Sequence, residues 1–247
     1  MISHIKNWRG PLFWLALLGL AVFGMGQFEG YFRLLSPAAS EVIYQRESFA
    51  QLLFNHLFVV AVASIFSIGI GVMAGIMVTR KWGRDFLPLV SQVASIGQTF
   101  PPVAVLALSV PLLGFGNLPT IFALMLYGLL PVLRNTLAGL QGVSPSALEA
   151  AQGIGMGPLQ VLLQVELPLA SPVILAGIRT SVTVTIATAA IGSTIGASTL
   201  GNPVIAGLVN GNTAYVLQGA VLIGLLAVCI DSTFERVQQG LALRYGR

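Results

Sequence analysis

The hydrophobic positions of this chain lie in long continuous runs rather than in alternating patterns. A membrane-spanning helix needs about 20 mostly apolar residues to cross roughly 30 Å of hydrocarbon. Six runs meet or approach that length, at about 11–26, 52–79, 86–113, 118–133, 172–196 and 214–230. Strands of a membrane barrel would alternate apolar and polar residues, which these runs do not do. The pattern therefore predicts an all-α integral membrane protein with about six transmembrane helices.

Two of the runs are short and one is interrupted. The fourth and sixth need flanking residues to complete a span. The third contains Pro101, Pro102 and Pro111, and proline removes a backbone donor and clashes with the preceding turn. We therefore expect a break or kink in the third span.

The composition of the chain agrees with a membrane protein. Only 8% of the 247 residues are charged, against about 25% in soluble domains. This excludes a soluble enzyme and a nucleic-acid-binding module, so membrane lipid and not nucleic acid is the expected surrounding. The single cysteine, Cys229, permits neither an internal disulfide nor a cysteine metal site.

The lysines and arginines predict the orientation, because positive charges collect in cytoplasmic loops. Ten fall on one side and two, Arg33 and Arg46, on the other. The ten are Lys6, Arg9, Arg80, Lys81, Arg84, Arg134, Arg179, Arg236, Arg244 and Arg247. Both termini are thus placed in the cytoplasm. The first run also resembles a signal peptide, but we interpret it as an uncleaved anchor.

This orientation divides the chain into three regions. Residues 1–50 are expected to form an anchor helix and an external loop, 51–235 the membrane core, and 236–247 a cytoplasmic tail. The polar stretch that begins at Asp231 is expected to lie along the inner membrane surface.

Several polar and small residues lie inside the spans. Gly71 with Gly75, and Gly192 with Gly196, are spaced for close helix contact. Thr183 and Thr188 belong to a threonine-rich fifth span. Their hydroxyls either line a polar path, or bond their own helix backbone or a neighbouring helix, and we favour the second alternative. His56 is either a proton relay or substrate contact, or a hydrogen-bonded interface histidine, which we favour.

The longest inner segment, about 134–171, is too apolar for a solvated loop and too interrupted for a span. Ser144 and Pro145 predict a helix start, and the helix should run to about Gln152. Gly153 and Gly155 offer the positive-φ positions that end it. A second helix should begin at Pro158. Pro168 is expected to stop that helix, and Ser171 to cap the fifth span.

This inner segment carries a family resemblance. Glu149-Ala150-Ala151, Gly155 and 165–168 (Val-Glu-Leu-Pro) match the pattern EAA-x3-G-x9-I-x-LP of bacterial ABC importer permeases, with Val165 in place of Ile. Residues 98–108, 126–140, 165–181 and 195–201 resemble the osmoprotectant branch, whose members carry glycine betaine, choline and carnitine. The resemblance covers roughly 50–235.

One departure bears on the subgroup. Many members of the branch have Gly-Gly where Ser198 and Thr199 stand here. This departure favours the YehW/OsmW type, which the chain resembles more than it resembles the wider branch.

The resemblance implies a fold and a set of partners. It implies the MetI-like permease fold in a bacterial inner membrane, with a second permease subunit. That subunit is either a copy of this chain or, as the subgroup resemblance favours, a different and longer chain. Two copies of a cytoplasmic ABC ATPase and an extracytoplasmic substrate-binding protein complete the importer. The ATPase uses ATP and Mg²⁺, and this chain binds no cofactor. Coupling to the ATPase falls on the loop 146–168, through Glu149, Ala150, Ala151, Gly155, Val165, Leu167 and Pro168.

The remaining candidate residues concern the path of the solute. They are His56, Thr183, Thr188, Ser198 and Thr199. No catalytic site is expected, because a phosphate-binding loop needs a Gly-Lys pair and neither Lys6 nor Lys81 follows a glycine. The alternatives are an ABC permease for another small solute, such as an amino acid, and a secondary transporter. A secondary transporter would need a coupling-ion site, and no acid lies in mid-span.

Overall fold

The computed structural model describes residues 8–245 of the chain. Every regular element in that range is helical, as the apolar runs predict. The helices are α1 (Arg9–Gly24), α2 (Glu29–Leu35), α3 (Phe49–Thr79), α4 (Leu87–Thr99), α5 (Pro102–Leu113), α6 (Asn117–Gln141), α7 (Pro145–Gly153), α8 (Pro158–Val161), α9 (Leu167–Ala189), α10 (Gly201–Asn210) and α11 (Thr213–Tyr245). Short 3₁₀ turns lie at Met25–Phe28, Arg84–Phe86 and Ala190–Ile195, and a π turn at Leu162–Glu166 joins α8 to α9.

Five helical runs within residues 8–245 are long and apolar enough to cross a membrane. They are Arg9–Leu35, Phe49–Thr79, Asn117–Gln141, Pro158–Ile195 and Thr213–Tyr245. A sixth results if the broken pair Arg84–Thr99 and Pro102–Leu113 counts as one span. The break falls between Thr99 and Pro102, where the prolines predicted it. Pro111 lies inside α5 without ending it.

The prediction that Pro168 ends a helix and that Ser171 caps a new span is wrong. Residues 158–189 form one helical run through the π turn. Pro172 has no N–H for the carbonyl of Pro168, and the Ser171 hydroxyl donates to that carbonyl instead, at 2.8 Å. Prolines are tolerated in membrane helices where side chains or local π turns satisfy the freed groups. The connection between α6 and the next span is therefore 142–157, which is shorter than the inner segment of about 134–171 that the sequence predicted.

The C-terminal stretch also differs from its prediction. Residues 231–245 continue α11 without a break, so they do not form a separate helix along the inner surface. Lys6 and Arg247, two of the predicted inner charges, lie outside the described residues.

The chain divides into two compact units. The first comprises residues up to 64, 100–125 and 183–233, and the second comprises 65–99, 126–182 and the residues from 234 onward. In the second unit, Gly71 and Gly75 bring α3 close to α6. A Cβ built at Gly75 would lie 2.6 Å from Thr136 Cγ2, so the glycine permits this approach, as its spacing predicted.

The second predicted glycine face is only half correct. In the first unit, a Cβ at Gly192 would lie 2.5 Å from Thr120 Cγ2. Gly196 instead has φ +84° and ends the 3₁₀ turn, with no atom within 4 Å of a built Cβ. Gly196 therefore serves the chain reversal and not helix contact.

A proline inside α6 is compensated within the second unit. Pro131 cannot donate to the carbonyl of Tyr127, four residues earlier in the helix. The side chain of Gln98 donates to that carbonyl at 2.9 Å. The amide thus satisfies a backbone acceptor that water cannot reach in a bilayer.

Candidate functional site

The predicted coupling loop, residues 146–168, begins on α7. The Ser144 hydroxyl accepts the N–H of Ala147 at 3.3 Å, and Pro145 occupies the first helical position. This is the N-terminal cap that the sequence predicted. The helix ends at Gly153, one residue beyond the predicted end.

One face of α7 is open and the other is packed. Ser146, Glu149 and Ala150 are exposed, whereas Ala151 is buried. Spacings of three and four residues place Ser146, Glu149 and Ala150 on one side of the helix. Glu149 has no hydrogen bond or ion pair with any residue in 8–245. The exposed face therefore carries one uncompensated carboxylate.

The turn after α7 depends on Gly155. Its φ is +84°, a conformation that side chains with a Cβ rarely adopt. The N–H of Met156 then bonds the carbonyl of Ala151 at 3.1 Å, which closes the helix end. Gly153 has no positive φ, so that part of the sequence prediction is wrong. Ile154, between the two glycines, is 80% exposed.

The last part of the loop lies in the helical run towards α9. Val165, Leu167 and Pro168 are half-buried there. Glu166 forms an ion pair with Arg80, at 2.8 Å between Oε2 and Nη2, and the two side chains are only 12% and 25% exposed. The pair joins the residue after α3 to the π turn. A cavity of about 510 Å³ lies beside it, lined by residues such as Lys81, Trp82, Gln152 and Met156.

Three of the candidate path residues lie in α3 and α9, within the first unit. His56 is fully buried in the first unit, and its Nε2 lies 3.1 Å from the carbonyl oxygen of Ile186. Thr188 donates to the Val184 carbonyl of its own helix at 2.8 Å, as the backbone alternative predicts. The buried hydroxyl of Thr183 has no hydrogen-bond partner among residues 8–245.

Ser198 and Thr199, by contrast, belong to a polar network in the first unit. The Ser198 hydroxyl donates to Glu47 Oε2 at 2.7 Å, and Asn202 Nδ2 donates to Glu47 Oε1 at 2.6 Å. Asn55 Nδ2 donates to Ser198 Oγ at 2.9 Å. Thr199 Oγ1 lies 2.8 Å from Ser193 Oγ and accepts the N–H of Gly201 at 3.0 Å.

This network borders a cavity of about 600 Å³, which we name the Glu47 pocket. Its wall includes Tyr44, Arg46, Glu47, Ser198, Asn202 and Asn210. The volume lies within the range of small-molecule sites, about 300–1,000 Å³. Sequence reasoning found Ser198 but missed Glu47, Asn202 and Asn55 as its partners.

The segment that carries Glu47 is firmly held, although the sequence predicted only an external loop. Gln218 donates to the Val42 carbonyl at 2.6 Å and accepts the Tyr44 N–H at 3.0 Å. Asn212 donates to the Glu41 carbonyl at 2.8 Å, and Ser36 Oγ accepts the N–H of Ala214 at 3.0 Å. The one signal in the sequence was Gln218, an uncharged polar residue inside the sixth apolar run.

Tyr44 forms the aromatic side of the pocket. Its ring meets Tyr215 edge-on, with centroids 5.5 Å apart, and Phe49 at 6.3 Å. Tyr44 and Phe49 are near each other in the sequence, but Tyr215 comes from a distant helix, so the sequence alone does not reveal this cluster. Burial, and next the charge of Glu47, raise the pKa of Tyr44 above its usual 10.0, so the phenol stays neutral at physiological pH.

The comparisons with known proteins agree with the loop motif. The family described as "Binding-protein-dependent transport system inner membrane component" matches residues 67–243, more than half of the chain. The chain belongs to this family. It is therefore a membrane permease component of a transport system and not an enzyme, and it is a multi-pass inner-membrane protein.

Relatives of this permease are named for the solutes that they carry. The osmoprotectant import permease protein OsmY of Salmonella typhimurium is 37% identical over 218 residues, which cover 88% of this chain and 87% of that protein. The osmoprotectant import permease protein OsmW of the same organism is 40% identical over 76% of this chain and 89% of its own length. The choline transport system permease protein OpuBB of Bacillus subtilis is 40% identical over 72% of this chain and 81% of its own length.

The fold of the permease has solved counterparts. A chain of the inward-facing MetNI methionine ABC transporter is similar with a TM-score of 0.69 and 22% identity, over 80% of this chain and 99% of that one. This confirms the MetI-like permease fold that the resemblance implied. The level of identity shows the fold alone.

Proposed function

We propose that this permease is the transmembrane subunit of an ATP-driven importer for osmoprotectants, such as glycine betaine and other quaternary ammonium solutes. The observation that carries the proposal is the 37% identity to an osmoprotectant import permease across 88% of the chain. Relatives named for choline and carnitine transport support the same solute class. An importer for an amino acid is the alternative.

The predicted coupling loop is the proposed contact with a cytoplasmic ABC ATPase. The open face of α7 presents Glu149 and Ala150, with Ile154 exposed beside the turn at Gly155. An exposed apolar residue beside an unpaired carboxylate fits a basic, partly apolar cleft on a partner. ATP and Mg²⁺ are used by that partner, present in two copies, and this chain binds neither.

The same loop connects the ATPase contact to the membrane spans and transmits the closure of the ATPase to them. Movement of α7 passes to the helical run of Val165, Leu167 and Pro168, because this run follows the turn directly. The buried ion pair of Glu166 with Arg80 ties that run to the end of α3. Closure of the ATPase would in this way displace two spans together.

We infer the sidedness of the permease from its charge distribution and the remaining partners from its family. Both termini and the coupling loop lie in the cytoplasm, as the distribution of lysine and arginine predicts. A substrate-binding protein delivers the solute at the outer face. The second permease subunit is a different and longer chain.

A mild-detergent pull-down of the tagged permease, followed by mass spectrometry and uptake in proteoliposomes, tests the proposal. We expect an ATPase and a second permease to co-purify, and ATP-dependent uptake of glycine betaine in the presence of the binding protein. Uptake of amino acids instead would favour the alternative solute class. Solute movement by this chain alone, without ATP, would contradict the proposal and favour a secondary transporter.

A further inference from the structure

The Glu47 pocket contains a carboxylate that neutral groups hold in place. Both oxygens of Glu47 accept short hydrogen bonds, from Ser198 at 2.7 Å and from Asn202 at 2.6 Å. Asn55 in turn donates to Ser198 Oγ at 2.9 Å. Hydroxyl and amide donors orient the carboxylate but carry no positive charge, so its negative charge is available to a cation.

A positive charge lies on the same wall. Arg46 is exposed and lines the pocket beside Glu47. Within residues 8–245, neither Arg46 nor Glu47 has an ion-pair partner, and the two do not pair with each other. Two opposite charges thus border one cavity of about 600 Å³ without neutralising one another.

The aromatic side of the pocket suits a weakly hydrated cation. Tyr44 lines the cavity, and its ring is fixed by contacts with Tyr215 and Phe49. The face of an aromatic ring attracts a cation such as a quaternary ammonium group. Because the Gln218 hydrogen bonds fix the backbone of Tyr44, this wall is preorganised.

We propose that the Glu47 pocket is a transit binding site for a small zwitterion, with the carboxylate of the solute on Arg46 and its positive group between Glu47 and Tyr44. The inference rests on the proposed function, because it assumes that the permease conducts solutes of this class. A solute that is only cationic would use half of the site, and an anion would be repelled by Glu47.

The test compares two solutes that differ in the carboxylate. The complete importer is reconstituted in proteoliposomes with ATP inside and saturating binding protein outside. Initial uptake is measured for glycine betaine, which has a carboxylate, and for choline, which has none. The variants are Arg46→Gln and, as a matched control, Arg33→Gln, an exposed arginine that pairs with Glu29 outside the pocket.

Arg46→Gln should lower the maximal uptake of glycine betaine about ten-fold, the effect of losing one charge-assisted hydrogen bond. Choline uptake should change less than two-fold, and Arg33→Gln should behave as the wild type. Glu47→Gln should lower the uptake of both solutes. Equal recovery of the assembled complex by gel filtration confirms that folding is intact.

Three results would overturn the inference while the proposed function stands. The first is betaine uptake within two-fold of the wild type for Arg46→Gln. The second is an equal loss for both solutes, together with a higher half-maximal concentration when the binding protein is titrated in a separate series, which identifies Arg46 as a docking residue. The third is that the wild-type importer takes up choline but takes up no zwitterion. Absence of any ATP-dependent uptake by the wild type would reject the proposed function and this site together.

Discussion

A single buried amide, Gln218, fastens two backbone groups of the segment that carries Glu47. It replaces the partners that the Val42 carbonyl and the Tyr44 N–H would find in a strand or helix. A buried backbone group without a partner costs about 1–3 kcal/mol. The amide therefore sets the stability of a segment that has no regular structure of its own.

We expect Gln218→Leu to destabilise the permease by about 2 kcal/mol or more, because two buried polar groups lose their partner. The measurement is the thermal unfolding midpoint of the purified protein in detergent. Limited proteolysis should show new cleavage within residues 36–48.

Gln239→Leu is the matched control for this prediction. Gln239 lies on the same helix, is exposed and bonds only surface side chains. Surface substitutions of this kind change stability by about 0.5 kcal/mol or less. Equal midpoints for the two variants would show that the Gln218 hydrogen bonds contribute nothing.

At single positions, the sequence correctly predicted the features that depend only on residues nearby in the chain. Ser144 as a cap and Gly155 as a turn follow from a few adjacent residues, and both are confirmed. The network of Glu47 could not be predicted, because Ser198 and Asn202 lie 151 and 155 residues away. An acid in a loop has no local pattern that distinguishes a network member from a solvated charge.

At the scale of elements, the approach of α3 to α6 depends on glycine. We expect Gly75→Ala to destabilise the protein by about 1–3 kcal/mol, because the new Cβ would lie 2.6 Å from Thr136. The thermal midpoint in detergent measures the effect.

Gly69→Ala supplies the control on the same helix. A Cβ at Gly69 meets no atom within 4 Å, so this substitution should be neutral or slightly stabilising. A loss of stability as large as that of Gly75→Ala would mean that helix flexibility, and not close packing, explains the glycines.

The coupling function belongs to α7 and the turn that follows it. We expect Glu149→Lys to reduce ATP-driven uptake at least about ten-fold, since a reversed charge at a docking face costs several kcal/mol. Gly155→Asp should reduce uptake as well, because a side chain with a Cβ rarely adopts the φ of +84° that shapes the turn after α7. Expression and thermal midpoint should stay normal for Glu149→Lys, because Glu149 is exposed and has no partner in 8–245.

Glu29→Lys tests whether charge reversal alone is harmful. Glu29 is 57% exposed in α2, on the face predicted to be external. This variant should retain uptake. Normal uptake by Glu149→Lys at normal expression would contradict the proposal that α7 couples the permease to the ATPase.

Element boundaries show where proline rules succeed and fail. Pro102 opens α5 after the predicted break, because a proline at the first helical position lacks only an N–H that has no partner within the helix. Pro168 and Pro172 lie within a continuous run, because a π turn and the Ser171 hydroxyl compensate for them. Whether a proline breaks a helix thus depends on neighbours whose role is visible only in the folded chain.

At the scale of the whole molecule, the charge distribution predicts which loops face which side. In a Cys229→Ala background, Gln45→Cys should react with an impermeant maleimide in right-side-out vesicles. Ile154→Cys should react only in inside-out vesicles. Both wild-type positions are exposed, and the natural thiol is buried, so labelling reports sidedness rather than access through the fold.

Labelling of both positions from the same side would contradict the predicted topology. If that side is the outer one, the result would also place the coupling loop outside the cytoplasm and remove the proposed contact with the ATPase. Controls at Arg33→Cys and Gln160→Cys, each exposed, should follow their neighbours.

The attachment of residues 36–48 to the far end of the chain also has a consequence for biosynthesis. The partners of Val42 and Glu47 are 176 and 155 residues further along. At a synthesis rate of about 5–20 residues per second, the ribosome adds them roughly eight to thirty-five seconds later. During that interval the segment has neither Gln218 nor Asn202 to bind. The pocket is therefore complete only after Asn202 and Gln218 have been made, and a chain released before its final span lacks the Gln218 hydrogen bonds.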